Sequence, residues 1–179
     1  EGEKIMDAPQ LILETLERNT GLLKMALEGL TDDDLMKRPD DQSNPLGWIV
    51  WHQTRTEDRF ISALSGNSQV WMDGKWYEKF GMEADPEISG LGETLEQVTV
   101  FQSTVESLRG YIDPVRERTR AHLSALSPAD LDRDVLLPGA DAPHKTAEML
   151  SILLSDSLHH CGQVSYLRGC ITGWGWYPM

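Results

Sequence analysis

From Met149 to Leu167 the chain carries apolar residues at the spacing of one helix face, and polar groups interrupt the middle of that face. The positions read Met149, Leu153, Asp156, His160, Gln163, Leu167. Apolar side chains close both ends, while an acid, an imidazole and an amide occupy the centre. Asp156 and His160 are four apart, so both project from one side of a helix, one turn above the other. A buried carboxylate without a partner is strongly disfavoured, so a fold that accepts this helix must also compensate the acid. A divalent metal would do so, and would need at least one more ligand from elsewhere in the chain.

His52 fits that need. In Asn44-Pro45-Leu46-Gly47-Trp48-Ile49-Val50-Trp51-His52 a helix start leads into large apolar residues, and His52 ends the run. Asn44 suits an N-cap and Pro45 the first helical position, where a missing N–H costs nothing. The stripe Ile49, His52, Thr56, Phe60, Ala63 turns His52 toward the core. Two imidazoles and a carboxylate are a recognised three-ligand set for zinc or ferrous iron, with positions left for substrate or water. Each group also has a plainer reading. A lone His on an apolar face is commonly a hydrogen-bonded boundary residue, and an Asp four residues before a His supports a helix unaided. His159, three after Asp156, could share its face, but His160 lies nearer the centre of the stripe.

At 179 residues the chain is long enough for one domain, 1–179, with a substantial core. No stretch has the length of a membrane span, and no charged-then-apolar leader is visible. Cys161 and Cys170 fall on the same predicted helix, roughly 13 Å apart along its axis, and cannot pair without breaking it. Both read as reduced thiols, which favours a cytoplasmic location. Cys161 points about 100° away from His160 around the helix and is not nominated as a ligand. A formal net charge of -13 speaks against nucleic acid and against an anionic membrane surface, both of which select basic residues.

The hydrophobic periodicity predicts four long helices and almost no sheet. The first spans Pro9 to Leu30, with Ile12, Leu16, Leu23 and Leu27 on its inner stripe. Thr31-Asp32-Asp33-Asp34-Leu35 reads as a capped single turn. The second spans Pro45 to Leu64. Gly66 to Gly92 is a long irregular crossover rich in aromatics, read as a lid or pocket wall carrying Trp71 and Trp76. The alternative is an ordinary crossover whose rings plug the core. A short helical stretch, Thr94 to Phe101, leads to a capping-box pattern at Ser103-Thr104-Val105-Glu106 and a third helix reaching Leu126. Pro114 is expected to kink that helix, or else to start a new one after Asp113. Ala129 to Pro143 reads as loop, with Leu136-Leu137-Pro138 extended. The fourth helix runs from Thr146 to Thr172. The resulting fold class is all-α: a four-helix bundle with long crossover connections.

Leu46-Gly47-Trp48-Ile49-Val50-Trp51-His52 with Glu57-Asp58, and His160-Cys161-Gly162-Gln163-Val164-Ser165-Tyr166-Leu167-Arg168-Gly169, resemble the second-helix and C-terminal-helix motifs of the DinB-like superfamily. Leu126-Ser127-Pro128-Ala129-Asp130-Leu131 extends the resemblance between them. It implies a bundle holding a divalent metal (zinc, nickel or iron) on His52, Asp156 and His160. Many members have His where this chain has Asp156; the branch that includes mycothiol-dependent maleylpyruvate isomerase has a carboxylate there. The characterised branches use a low-molecular-weight thiol such as mycothiol or bacillithiol, so the resemblance implies an S-transferase or isomerase acting on a small electrophile, and a homodimer. A bound cation stabilises a thiolate near neutral pH. Gln163, Trp48, Trp71, Trp76 and Arg168 are the expected substrate contacts, although Arg168 equally suits a helix C-terminus. Two other readings stay open: a metal-dependent hydrolase of a small amide or ester, with Glu57 as base, and a non-catalytic stress-response or binding module.

Overall fold

A computed structural model describes residues 6–137 and 141–177. In chain order the elements are α1 (Ala8–Ala26), α2 (Asp32–Leu35), α3 (Leu46–Ser65), α4 (Val70–Asp73), α5 (Trp76–Lys79), α6 (Leu95–Val100), α7 (Val105–Ala125), a 3-10 turn (Pro128–Asp132), strands β1 (Asp134–Val135) and β2 (His144–Lys145), and α8 (Thr146–Thr172). The two strands pair antiparallel, Asp134 opposite Lys145. Among the long helices, α1 and α3 each pack against both α7 and α8, which makes an all-α four-helix bundle with α1 and α3 on a diagonal. No helix among the described residues is long and apolar enough to cross a membrane.

Local chemistry sets most boundaries. Asp7 caps α1 by accepting from the Gln10 amide at 3.0 Å, and the helix stops at Ala26, short of the expected Leu30, where Gly29 takes a positive φ. Thr31 and Asp34 form the reciprocal box of α2. For α3 the cap is Pro45 rather than Asn44: Pro45 is extended, with ψ 156, and its carbonyl accepts from Ile49 at 3.2 Å. Gly47 allows α3 to touch its neighbours closely, since a Cβ there would lie 2.6 Å from Ser103 Oγ. The box of α7 is Thr104 with Ser107, not Ser103 with Glu106. Asp32 of α2 also accepts from the Val105 amide at 2.8 Å, fixing that helix start from outside. One continuous α7 passes through Pro114, forgoing the bond its missing N–H would have made to Gly110. Pro138, expected in an extended stretch, lies outside the described residues.

Two apolar clusters fill the bundle. One gathers Leu23, Trp48, Trp51, Trp71, Phe101 and Tyr111 with their neighbours; the other gathers Leu16, Ile61, Leu64, Leu123, Met149 and Leu153. Between them every long helix contributes buried polar residues: Asn19 and Thr20 from α1, Gln53 and Glu57 from α3, Arg116 and Thr119 from α7, Ser157 from α8. Ser157 Oγ receives both Asn19 Nδ2 at 2.9 Å and Gln53 Nε2 at 3.0 Å. Glu57 is held by Arg116 at 2.5 Å and by the Thr119 hydroxyl. Burial, ahead of the attraction of Arg116, raises the Glu57 carboxyl above its ordinary range.

The crossover from α3 to α7 is tied down by Arg55, which is fully buried. Its Nε donates to the Ile88 carbonyl, Nη1 to Asp58 and Tyr111, and Nη2 to Gln69 and the Pro86 carbonyl, at 2.9–3.2 Å. Asp58 in turn accepts from the Val70 and Trp71 amides at the start of α4. Replacing the guanidinium in Arg55→Met leaves Asp58 buried without its counter-charge. We expect a loss of about 3–5 kcal/mol in denaturant unfolding, and faster amide exchange around Ser89 and Gly90. A loss below about 1 kcal/mol, the range of surface ion pairs, would show that the crossover is held by apolar packing alone.

Candidate metal centre

The structure brings His52, Asp156 and His160 together. One ligand atom from each lies within 4.8 Å of the others, the geometry of a group that can hold a single ion. His52 comes from α3 and is buried; Asp156 and His160 come from successive turns of α8 and keep 23% and 17% of their side-chain surface. The site therefore sits at the rim of the α3–α8 contact rather than on the bundle axis. Both stripes explain why. On α8 the ends Met149, Leu153 and Leu167 are buried, but Gln163 is exposed; on α3, Thr56, Phe60 and Ala63 are half-buried. On α8 the exposure is confined to the polar middle of the stripe, while both apolar ends stay in the core. His159 is exposed and outside the cluster.

Each imidazole has one nitrogen already committed. His52 Nδ1 meets the Ser89 carbonyl at 2.5 Å, and since a carbonyl only accepts, Nδ1 carries the proton and Nε2 keeps its lone pair. His160 Nδ1 meets Gln163 Oε1 at 2.7 Å, with Nε2 3.3 Å from Asp156 Oδ1. Such outer partners orient metal-ligating histidines and fix their tautomer. Asp156 Oδ2 is buried and makes no hydrogen bond. An orphaned carboxylate oxygen beside two oriented imidazoles is the donor set that fits a divalent cation.

The surroundings of His52 come from the crossover. Trp48 stacks on the ring, with centroids 4.9 Å apart and planes 5° from parallel, and its indole N–H donates to Glu93 at 2.8 Å. Gly90, at φ +87, presses against the same rings; a Cβ there would sit 2.6 Å from Trp48 and 3.2 Å from His52 Nδ1. Arg59 holds the Ser89 hydroxyl at 3.0 Å and Glu87 at 2.7 Å. None of Ser89, Gly90, Glu93 or Arg59 was singled out by sequence reading. The Ser89 contribution is a backbone carbonyl, which no side-chain pattern encodes; the Gly90–Gly92 pair was the available signal for a close approach.

The expected substrate contacts divide. Gln163 lies beside His160, bonded to its Nδ1 at 2.7 Å, and is exposed rather than turned to the core. Trp48 is buried and stacks on His52. Trp71 is fully buried among Trp51, Tyr77, Phe80 and Tyr111, with Arg55 over its ring at 4.6 Å. Trp76 packs on Tyr111 and Gly110 of α7. Both rings belong to the apolar cluster around Trp51 and Tyr111, and the crossover meets His52 through Ser89 and Gly90 instead. Arg168 donates to the Glu28 carbonyl at 2.8 Å, capping the turn after α1. Glu57 faces α7 and is fully engaged there, so it is not available as a base at this site. Cys161 is buried, its thiol pushed by burial up to about 11 and directed at the Asn19 carbonyl, 3.6 Å away.

The sequence matches the family model of the DinB superfamily over residues 15–164. A crystal structure of a conserved protein from Enterococcus faecalis is similar at 26% identity, with a TM-score of 0.81 over 94% of this chain and 99% of that one. A dinb-like protein from Bacillus cereus ATCC 10987 shares the fold at 20% identity, with a TM-score of 0.59 over 93% of this chain and 95% of that one. No functionally curated protein matches the chain.

The two histidines titrate apart in the metal-free protein. Burial, against the Ser89 hydrogen bond, lowers His52 below its ordinary value. For His160 burial acts downward as well, but the bonds to Asp156 and Gln163 outweigh it and raise the group. A raised folded pKa stabilises the protein below the unfolded value of about 6.5 and is lost as pH climbs through the folded value; a lowered one acts oppositely, costing stability as pH falls. Histidine NMR titration should therefore give His160 above His52, and Asp156→Asn should bring His160 down. Coincident titrations would break up the cluster as drawn.

Proposed function

The chain belongs to the DinB superfamily, and on that premise we propose that it is a divalent-metal-dependent enzyme using a low-molecular-weight thiol, transferring it to a small electrophile or isomerising the adduct. The observation that carries the metal is Asp156 Oδ2, buried without a partner between two imidazoles whose Nδ1 atoms are already engaged. His52, Asp156 and His160 would hold the ion. When bound, the ion supplies a Lewis acid that favours the thiolate form of a thiol at neutral pH.

The protein's own residues then have definable tasks. Ser89 and Gln163 fix the two ring orientations. Trp48 and Gly90 pack the buried side of His52 and keep water from it, while the exposed side of Gln163 and the half-buried Asp156 leave an approach for a small molecule. No protein nucleophile is required, because the thiol provides one. Glu93, an acid that acts on His52 besides Asp156, is occupied with the Trp48 indole. That weakens the hydrolase alternative, whose nominated base, Glu57, is sequestered by Arg116.

Metal analysis of the purified protein tests the first half of the proposal. One equivalent of divalent metal per chain is expected in the wild type. Asp156→Asn should lose most of it, since an amide is a poor ligand and the charge is gone; Asp156→His should retain metal with an altered preference. Equal occupancy in wild type and Asp156→Asn would remove Asp156 from the site. Conjugation of a chromogenic electrophile, assayed with mycothiol, bacillithiol, glutathione and cysteine in turn, tests the second half. Metal retained without turnover by any thiol would favour the binding module.

A further inference from the structure

The C-terminal half of α8 and the residues after it form an open surface groove of about 790 Å³ that the metal centre does not use. Its walls are Tyr166, Cys170, Trp174, Trp176 and Tyr177, and its floor includes Gly169. None of the lining residues is charged, in a chain in which 25% of residues are. An occupant with a formal charge would find no counter-ion there. The one side-chain hydroxyl of the floor, on Ser165, is spent on the Cys161 carbonyl at 2.7 Å.

The groove is shaped rather than merely exposed. Trp176 is half-buried and anchored on the upper apolar cluster, with Tyr177 edge-on to it at 5.6 Å and 72°. Gly169 lines the groove beside Trp176, whose Nε1 would be in ordinary contact, at 3.5 Å, with a Cβ at that position, so a larger side chain there would meet the indole. Trp174, 92% exposed, stands at the rim. The volume falls in the range of about 300–1,000 Å³ typical of small-molecule sites. Aromatic walls meeting at an angle offer both stacked and edge contacts to a flat ring.

We infer that this groove is a binding site for an uncharged, planar aromatic small molecule. It begins five residues beyond His160 on the same helix, yet the inference does not rest on the metal reading.

The probe is N-phenyl-1-naphthylamine, titrated into the full chain after treatment with EDTA, so that failure of the metal proposal leaves the result interpretable. Saturable binding of one probe per chain is expected, with slower alkylation of the exposed Cys170 by iodoacetamide when the probe is bound. Gly169→Leu, which fills the hollow from a helical position, and Trp174→Ala, which removes an exposed wall, should each weaken binding about tenfold or more. Leu91→Ser, at an exposed apolar residue on the crossover, should leave it unchanged. Trp174→Ala carries the test if Gly169→Leu does not fold. Unsaturable binding, or equal affinity in the variants and the wild type, would overturn the proposal. So would a wild-type dimer that binds no probe and that Trp174→Ala converts to monomer, since the groove would then be an interface between copies.

Discussion

A buried guanidinium has five N–H groups, and burying any of them unpaired costs free energy comparable to a lost hydrogen bond. Arg55 meets all five with acceptors drawn from four places: Asp58 on its own helix, Tyr111 on α7, Gln69 before α4, and the Pro86 and Ile88 carbonyls of the crossover. The chain after α5 has little regular structure of its own, so these bonds largely decide where it runs. Ile88 held at its carbonyl places Ser89 one residue on, and Arg59 holds the Ser89 hydroxyl. The Ser89 carbonyl thereby reaches His52. The orientation of a candidate metal ligand thus depends on an arginine one turn along the same helix that never touches it.

The polar layer between the two apolar clusters constrains the bundle in a second way. Leucines in either cluster could slide by a turn and still find apolar neighbours. Ser157 with Asn19 and Gln53, and Glu57 with Arg116 and Thr119, cannot, because any slip leaves buried polar groups unpaired. Buried ion pairs add little net stability when measured against apolar replacements, and their best attested use is to fix register. Here Glu57 with Arg116 and Thr119 fixes α3 against α7, and Gln53 on Ser157 fixes α3 against α8, the pair that carries His52 and His160.

Much of this was legible in the sequence. The four long helices, the single turn at Asp32–Leu35 and the end of α8 at Thr172 follow from periodicity and capping residues, which act over a few residues. The pairing of His52 with Asp156 and His160 was legible because polar groups in the middle of apolar stripes are costly and therefore informative. What escaped notice depends on contacts distant in sequence. Thr104 rather than Ser103 caps α7 where Asp32, 73 residues away, also holds the Val105 amide. Trp71 and Trp76 read as a lid because four rings in an irregular stretch suggest either a wall or a plug. The choice between them rests on Arg55, Tyr111 and Gly110, to which no local pattern points.

The contrast between two acids makes the electrostatic case for an ion. Glu57, in the polar layer, and Asp156, one helical position before Ser157, lie on helices that pack against each other. Glu57 receives a guanidinium and a hydroxyl, so both its oxygens are bonded from within the fold. Asp156 receives one edge of His160 on Oδ1 and nothing on Oδ2. An unsatisfied buried charged acceptor costs upwards of about 1–3 kcal/mol, and position 156 could have carried an apolar residue continuing the stripe from Leu153. A fold that bonds both oxygens of one carboxylate from within, while leaving a second with one oxygen unpartnered beside the Nε2 atoms of His52 and His160, has its remaining demand for positive charge concentrated at a single point. That demand is what a divalent cation held by His52, Asp156 and His160 would meet.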